Sequence, residues 1–135
     1  MPTSKVKYLG NLRTECLHLK SGNTFITDAP VDNNGKGEAF SPTDTVATAL
    51  ASCMLTVMGI KAADLGVDLS GSEAEVEKIM ASGPRRISEI RIQLVLPEEI
   101  NDKNRKILEH TARTCPVLYS LHADIVKKIE FIWGS

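Results

Sequence analysis

Hydrophobic and polar positions alternate along this chain with two different periods, and the changes between them mark its elements. Over residues 5–29 the period is two. Val6 and Tyr8 alternate with lysines, and Leu12 to Lys20 puts Glu15, Leu17 and Leu19 on one side with Thr14, Cys16 and His18 on the other. Gly10-Asn11 and Ser21-Gly22-Asn23 are turn signals, and Thr24 to Thr27 has β-type composition, so a hairpin or meander is predicted. A polar, glycine-bearing loop covers residues 30–40. Ser41 then suits an N-cap, Pro42 the first helical position, and Asp44 is an acid in the first turn. From Val46 to Leu65 apolar or small residues occupy nearly every face, and Gly66 can stop the helix. A helix apolar all round is expected to be buried on all sides, wrapped by sheets or by a partner subunit.

Beyond this central helix the period returns to two. Val76, Lys78 and Met80 alternate with Glu75, Glu77 and Ile79, and Gly83-Pro84 makes a turn. Ile90, Ile92, Leu94 and Leu96 form the apolar side of a half-buried strand that Pro97 closes. A second helix is predicted from Asn101 or Asp102 to Thr114, with Ile107, Leu108, Thr111 and Ala112 on one face. Pro116 disfavours helical geometry at Cys115, so the helix should break there and a short one follow from Val117 to His122. Ile129, Phe131 and Trp133 alternate in a final strand. The order is β-β-β-α-β-β-α-β, an α+β arrangement in a single domain over residues 1–135, with no repeat and no linker.

Composition narrows the function classes. Sixteen basic and seventeen acidic residues give a net charge of -1, which offers nothing to draw nucleic acid or an anionic membrane. The apolar run from Val46 to Ile60 is interrupted by Thr48, Ser52 and Thr56 and is shorter than the ~20 residues of a membrane span. Met1-Pro2-Thr3-Ser4-Lys5 is not followed by an apolar signal region, so a soluble, cytoplasmic protein is expected. No glycine-rich phosphate loop and no metal-ligand spacing occurs, so neither cofactor nor metal is expected.

Candidate chemistry therefore rests on three cysteines, Cys16, Cys53 and Cys115, an odd and widely spaced set with no CxxC. A cysteine taken alone is most often a small buried hydrophobe. Cys53 lies midway along the central helix, where it is fixed, and Cys115 lies at a helix break, where the backbone can move. A thiol peroxidase needs such a pair: one thiolate attacks the O–O bond, and a second thiol converts the sulfenic acid to a disulfide. The thiolate must be stabilised, and the helix dipole cannot do it, because Cys53 lies twelve residues beyond Ser41 and the dipole effect fades within the first turn. A cation is required, and the candidates are Arg13, Arg85, Arg86 and Arg113. The remaining features have plainer readings. His122, seven residues after Cys115, could pair with a thiol in a hydrolase but reads as a surface or capping residue, and His18 and His110 read as structural. Cys16 packs or faces solvent, Met54 and Met58 are core or line an apolar pocket, and Glu73 to Lys78 is a solvated strand face.

The segment Ser41-Pro42-Thr43-Asp44-Thr45-Val46-Ala47-Thr48-Ala49-Leu50-Ala51-Ser52-Cys53-Met54 resembles the signature of the OsmC/Ohr family, the osmotically inducible and organic hydroperoxide resistance proteins. Cys115-Pro116-Val117-Leu118-Tyr119-Ser120-Leu121 is similar to its second cysteine motif, Pro84 to Ile90 to the intervening strand, and Gly10-Asn11-Leu12-Arg13 to its first hairpin. The resemblance covers nearly the whole chain. It implies an intertwined homodimer with active sites at the subunit interface, acting as a thiol-dependent peroxidase on organic hydroperoxides. By that resemblance Cys53 is the peroxidatic residue, Cys115 the resolving one and Arg13 the stabilising cation, with a dithiol such as a lipoylated protein as reductant. Better characterised members hold that arginine with a glutamate directly after the proline; here that position is Thr43, and Asp44 beside it is the expected substitute. Nine residues separate Asp44 from Cys53, ~13.5 Å of helical rise and about half a turn out of phase, so an arginine or a partner chain would have to bridge them. The alternative on the same fold is a non-catalytic redox sensor or a binder of apolar small molecules.

Overall fold

A computed structural model of the chain describes residues 1–134. It divides into two compact units, one from Met1 to Val46 and one from Ala47 onward.

The first unit is a meander of β1 (Ser4–Gly10), β2 (Arg13–His18) and β3 (Thr24–Asp28), antiparallel and in sequential order. Asn11 and Leu12 join β1 to β2 with φ of 56° and 63°. Two successive positive φ values match the twist of a tight hairpin. Asparagine accepts this readily, whereas leucine does so under strain. Leu12 is held on both sides: its N–H donates to Tyr8 Oη at 3.3 Å, and its carbonyl accepts from Ala29 N–H at 3.1 Å. After β3 the chain makes a short 3-10 turn at Val31–Asn33 and is stitched back onto itself. Gly35 N–H donates to Pro30 O at 2.9 Å, Gly37 N–H to Ala29 O at 3.1 Å, and Asp28 N–H to Phe40 O at 2.9 Å. This is the polar loop read from the sequence, and it is closed by backbone bonds.

Helix α1 (Pro42–Leu65) begins at a reciprocal cap. Ser41 Oγ accepts from Asp44 N–H at 3.1 Å, and the Asp44 carboxylate accepts from Ser41 N–H at 3.0 Å. Two otherwise orphaned N–H groups at the helix start are thereby satisfied.

In the second unit, β4 (Glu73–Ala81) pairs antiparallel with β5 (Arg86–Leu96), and β5 pairs parallel with β6 (Val126–Trp133). A parallel partner needs a crossover, supplied here by α2 (Asp102–Ala112) and α3 (Pro116–Ser120). One row of β5, Ile90, Ile92, Leu94 and Leu96, is buried as the alternation predicts. It packs in one cluster with Leu50, Met54 and Met58 of α1, Leu108 and Ala112 of α2, and Cys115. The two methionines are core residues.

The observed order is the expected one, with three differences. First, α1 is not covered on all sides by its own chain. Its buried residues, Ala47, Leu50, Ala51, Met54, Met58 and Ala62, follow a spacing of three or four, while Ile60 is 64% and Val46 39% exposed. One face meets the sheet and the other apolar face does not. By length and composition alone α1 would also pass for a membrane span, although its buried stripe packs in the core cluster. Second, α2 stops at Ala112 rather than Thr114, because Arg113 N–H and Thr114 N–H bond three residues back and tighten the last turn. Third, α3 runs from Pro116 to Ser120 rather than Val117 to His122; the proline occupies the first helical position, and Leu121 is already extended.

Gly35 is the position where the loop tolerates no side chain, since a Cβ there would stand 1.8 Å from the Ala29 carbonyl oxygen. Gly35→Ala is expected to destabilise the protein by about 1–3 kcal/mol, as overpacking does, measured as a lower urea midpoint at unchanged slope.

Candidate functional site

The sequence brings two thiols to one place in the second unit. Cys53, half-buried, is carried by the middle of α1, and Cys115, fully buried, forms the N-cap of α3. Cys115 arrives there because Pro116 ends helical geometry before it: its backbone is extended, at φ -71° and ψ 143°. Its sulfur accepts the Leu118 N–H at 3.4 Å. Burial pushes the Cys115 thiol above its ordinary pKa, the Leu118 N–H opposes this, and the neighbouring Cys53 raises it further. The two sulfurs are therefore neighbours although 62 residues separate them in sequence (53 to 115). Neither is in a disulfide, and neither is Cys16.

What can such a pair do? Burial favours the protonated form of the Cys115 thiol, which is the less nucleophilic one. A second sulfur in contact can then displace water from a sulfenic acid. Among the described residues no group of three or more His, Cys, Asp or Glu could hold a metal ion.

The four candidate cations have different surroundings. Arg86 closes its own turn, donating to the carbonyls of Ser82 and Pro84 at 3.0 and 2.9 Å. Arg113 lies over the Phe131 ring, 5.6 Å from its centre. Arg85 has further interactions of its own. Arg13, in the first unit, is gripped by two carboxylates: its Nη2 lies 3.2 Å from Asp28 Oδ2 and 3.1 Å from Glu38 Oε1. Asp28 raises the Arg13 pKa, and the Asp28 carboxyl is held below the ordinary carboxylate value, first by the Glu38 N–H and then by Arg13.

Asp44, the expected substitute for the family's acid, is placed in the α1 cap with Ser41. Asp28 and Glu38 were not singled out in the sequence. A signal existed for Asp28, which is the cross-strand partner of Arg13: opposite charges face each other at the ends of two strands joined through Ser21-Gly22-Asn23. His122 is exposed, accepting from Asp124 N–H at 3.0 Å, which fits its reading as a surface residue. His18 bonds Ser21 Oγ at 2.6 Å within a turn.

Comparison with known proteins gives this geometry its context. The family model described as OsmC-like protein matches residues 35–130. A solved structure of a candidate osmotic stress induced and detoxification response protein from Psychrobacter arcticus 273-4 shares 58% identity, with a TM-score of 0.94 over 97% of this chain and 96% of that one. At 15% identity, an organic hydroperoxide resistance protein OsmC from Legionella pneumophila superposes with a TM-score of 0.75 over 98% of both chains. The organic hydroperoxide resistance protein OhrB of Bacillus subtilis, 16% identical, superposes at 0.68 over 96% of this chain and 98% of its own. Among curated proteins none matches. The helix carrying Cys53 and the helix break carrying Cys115 both fall within the matched span, and the chain belongs to the OsmC-like family.

Proposed function

We propose that the protein is a two-cysteine peroxidase for organic hydroperoxides. The observation that carries this reading is that Cys53 packs against the buried cluster that contains Cys115, so that the two thiols are neighbours. In the first step the Cys53 thiolate attacks the outer oxygen of ROOH; the O–O bond breaks, the alcohol leaves with a proton, and Cys53 becomes a sulfenic acid. In the second, the Cys115 sulfur attacks the Cys53 sulfur, water departs, and a disulfide forms. A dithiol then reduces the disulfide by exchange and is itself oxidised. No cofactor is needed at any step. Cys53 is the peroxidatic residue and Cys115 the resolving one. Organic rather than hydrogen peroxide is favoured by the apolar cluster that the thiols share with Met54, Leu118 and Leu121. Three unpaired thiols suit the reducing cytoplasm.

The working unit is a homodimer. In one chain α1 leaves Val46 and Ile60 exposed, and the first sheet leaves Val6, Tyr8, Phe25 and Ile26 exposed. An apolar surface of that kind is covered in a stable soluble protein, and a second copy supplies the cover. Light scattering at micromolar concentration should give twice the chain mass of 14.7 kDa; a monomer would remove the dimer from the account.

Turnover separates an enzyme from a sensor on the same fold. With cumene hydroperoxide and excess dithiol, the parent protein should consume many equivalents, Cys53→Ser none, and Cys115→Ser a single equivalent before stalling or over-oxidising. Equal rates for Cys53→Ser and the parent would sink the peroxidase reading, whereas one equivalent consumed by the parent would favour a sensor. Alkylation by iodoacetamide at pH 7, mapped by peptide mass, should modify Cys53 well before Cys115. Because the Cys115 pKa is raised, its alkylation should accelerate only above the ordinary thiol value of about 8.5; a Cys115 that reacts first would contradict the assignment of roles.

A further inference from the structure

We propose that the dithiol which recycles the protein attacks the sulfur of Cys53, so that Cys115 is the sulfur that leaves and the mixed disulfide forms on α1. The inference rests on the Cys53–Cys115 disulfide of the proposed function. All the groups it uses lie in the second unit.

Thiol–disulfide exchange is a displacement, and the attacked sulfur must be open to the incoming thiolate. Cys115 offers no such approach. It is 0% exposed and belongs to the core cluster with Leu50, Met54, Leu108 and Ala112. The segment that follows it adds cover: its sulfur accepts the Leu118 N–H at 3.4 Å, and Val117, Leu118 and Leu121 pack against the same cluster. Cys53 is only half-buried. Ser52 and Thr56, beside it and one turn further along α1, are exposed, and the Thr56 hydroxyl donates to the Ser52 carbonyl at 2.8 Å. A second copy of the chain can add cover to either sulfur, but it cannot uncover Cys115.

Leaving-group strength works against this order. Exchange is faster when the departing thiol has a low pKa, and burial raises that of Cys115. The Leu118 N–H opposes the rise and is already directed at the sulfur, where it can hold the departing thiolate until a proton arrives. A raised pKa slows a displacement, whereas a sulfur without an approach stops it. Access therefore decides.

In the exchange a thiolate of the dithiol bonds to the Cys53 sulfur, the Cys53–Cys115 bond breaks, and Cys115 leaves with the electron pair and takes up a proton. The second thiol of the reductant loses its proton to solvent and attacks the reductant sulfur in the mixed disulfide. Cys53 departs as a thiolate, and the dithiol ends as a disulfide, having given two electrons to the protein. This order returns Cys53 directly in the form that attacks the next hydroperoxide and leaves Cys115 protonated.

The test uses the parent protein, oxidised with one equivalent of cumene hydroperoxide in one sample and of diamide in another. The probe is 2-mercaptoethanol, a monothiol that has no second thiol to release the mixed disulfide. Exchange is stopped with acid early in the reaction, the freed thiol is capped with N-ethylmaleimide, and peptides are mapped by mass without reductant. The mercaptoethanol adduct should lie on the Cys53 peptide and the maleimide on the Cys115 peptide, in at least about tenfold excess over the reverse pair. A smaller excess, an even mixture or the reverse pair would overturn the proposal. A disulfide that forms with diamide but not with the hydroperoxide would remove the peroxidase reading, and the peptide map would still decide which sulfur is attacked. Absence of a Cys53–Cys115 disulfide with either oxidant would overturn both.

Discussion

The constraint on which the proposed chemistry depends is that Cys53 and Cys115 are brought into one packed cluster. The constraint is severe because the two residues are separated by two strands and a helix. Cys53 is fixed by its place on α1, whose other residues at the same spacing are locked into the core cluster. Cys115 is brought to it by a crossover between parallel strands, and the crossover must be broken at one point to turn the sulfur inward. Pro116 makes that break, and Leu118 N–H caps the sulfur once it is there.

The electrostatics bear on the same pair. A buried thiol resists ionisation, and burial pushes the Cys115 thiol above its ordinary value. That suits the resolving role proposed for it, because an unreactive second thiol would not compete for a peroxide. Arg13, in the first unit, has its charge secured by Asp28 and Glu38.

Much of this was legible before the structure. Alternation at Ile90 to Leu96 reads directly as one buried row because a strand repeats every two residues. The signals Ser41-Pro42 and Cys115-Pro116 act through local backbone chemistry, so they mark a helix start and a helix break without reference to the rest of the chain. What was not legible depends on tertiary placement. The all-round apolar character of α1 suggested burial on every side, yet a single chain covers one stripe, since periodicity reports what a face prefers and not which chain supplies its cover. The Arg13 clamp was missed because Asp28 lies fifteen residues away in a strand of its own, and Glu38 comes from a loop whose closure depends on backbone bonds. Asp44 drew attention through its nearness in sequence to the helix start, where local chemistry engages it in a cap.

The central claim, that the paired thiols form a reversible redox couple, is tested most directly by mass. The reduced protein would be treated with one equivalent of cumene hydroperoxide, digested and analysed, and then exposed to a dithiol. The account predicts a disulfide-linked peptide pair containing Cys53 and Cys115, with the loss of two hydrogens per chain, fully reversed by the dithiol. An unmodified protein, or oxidation confined to Cys16, would contradict it.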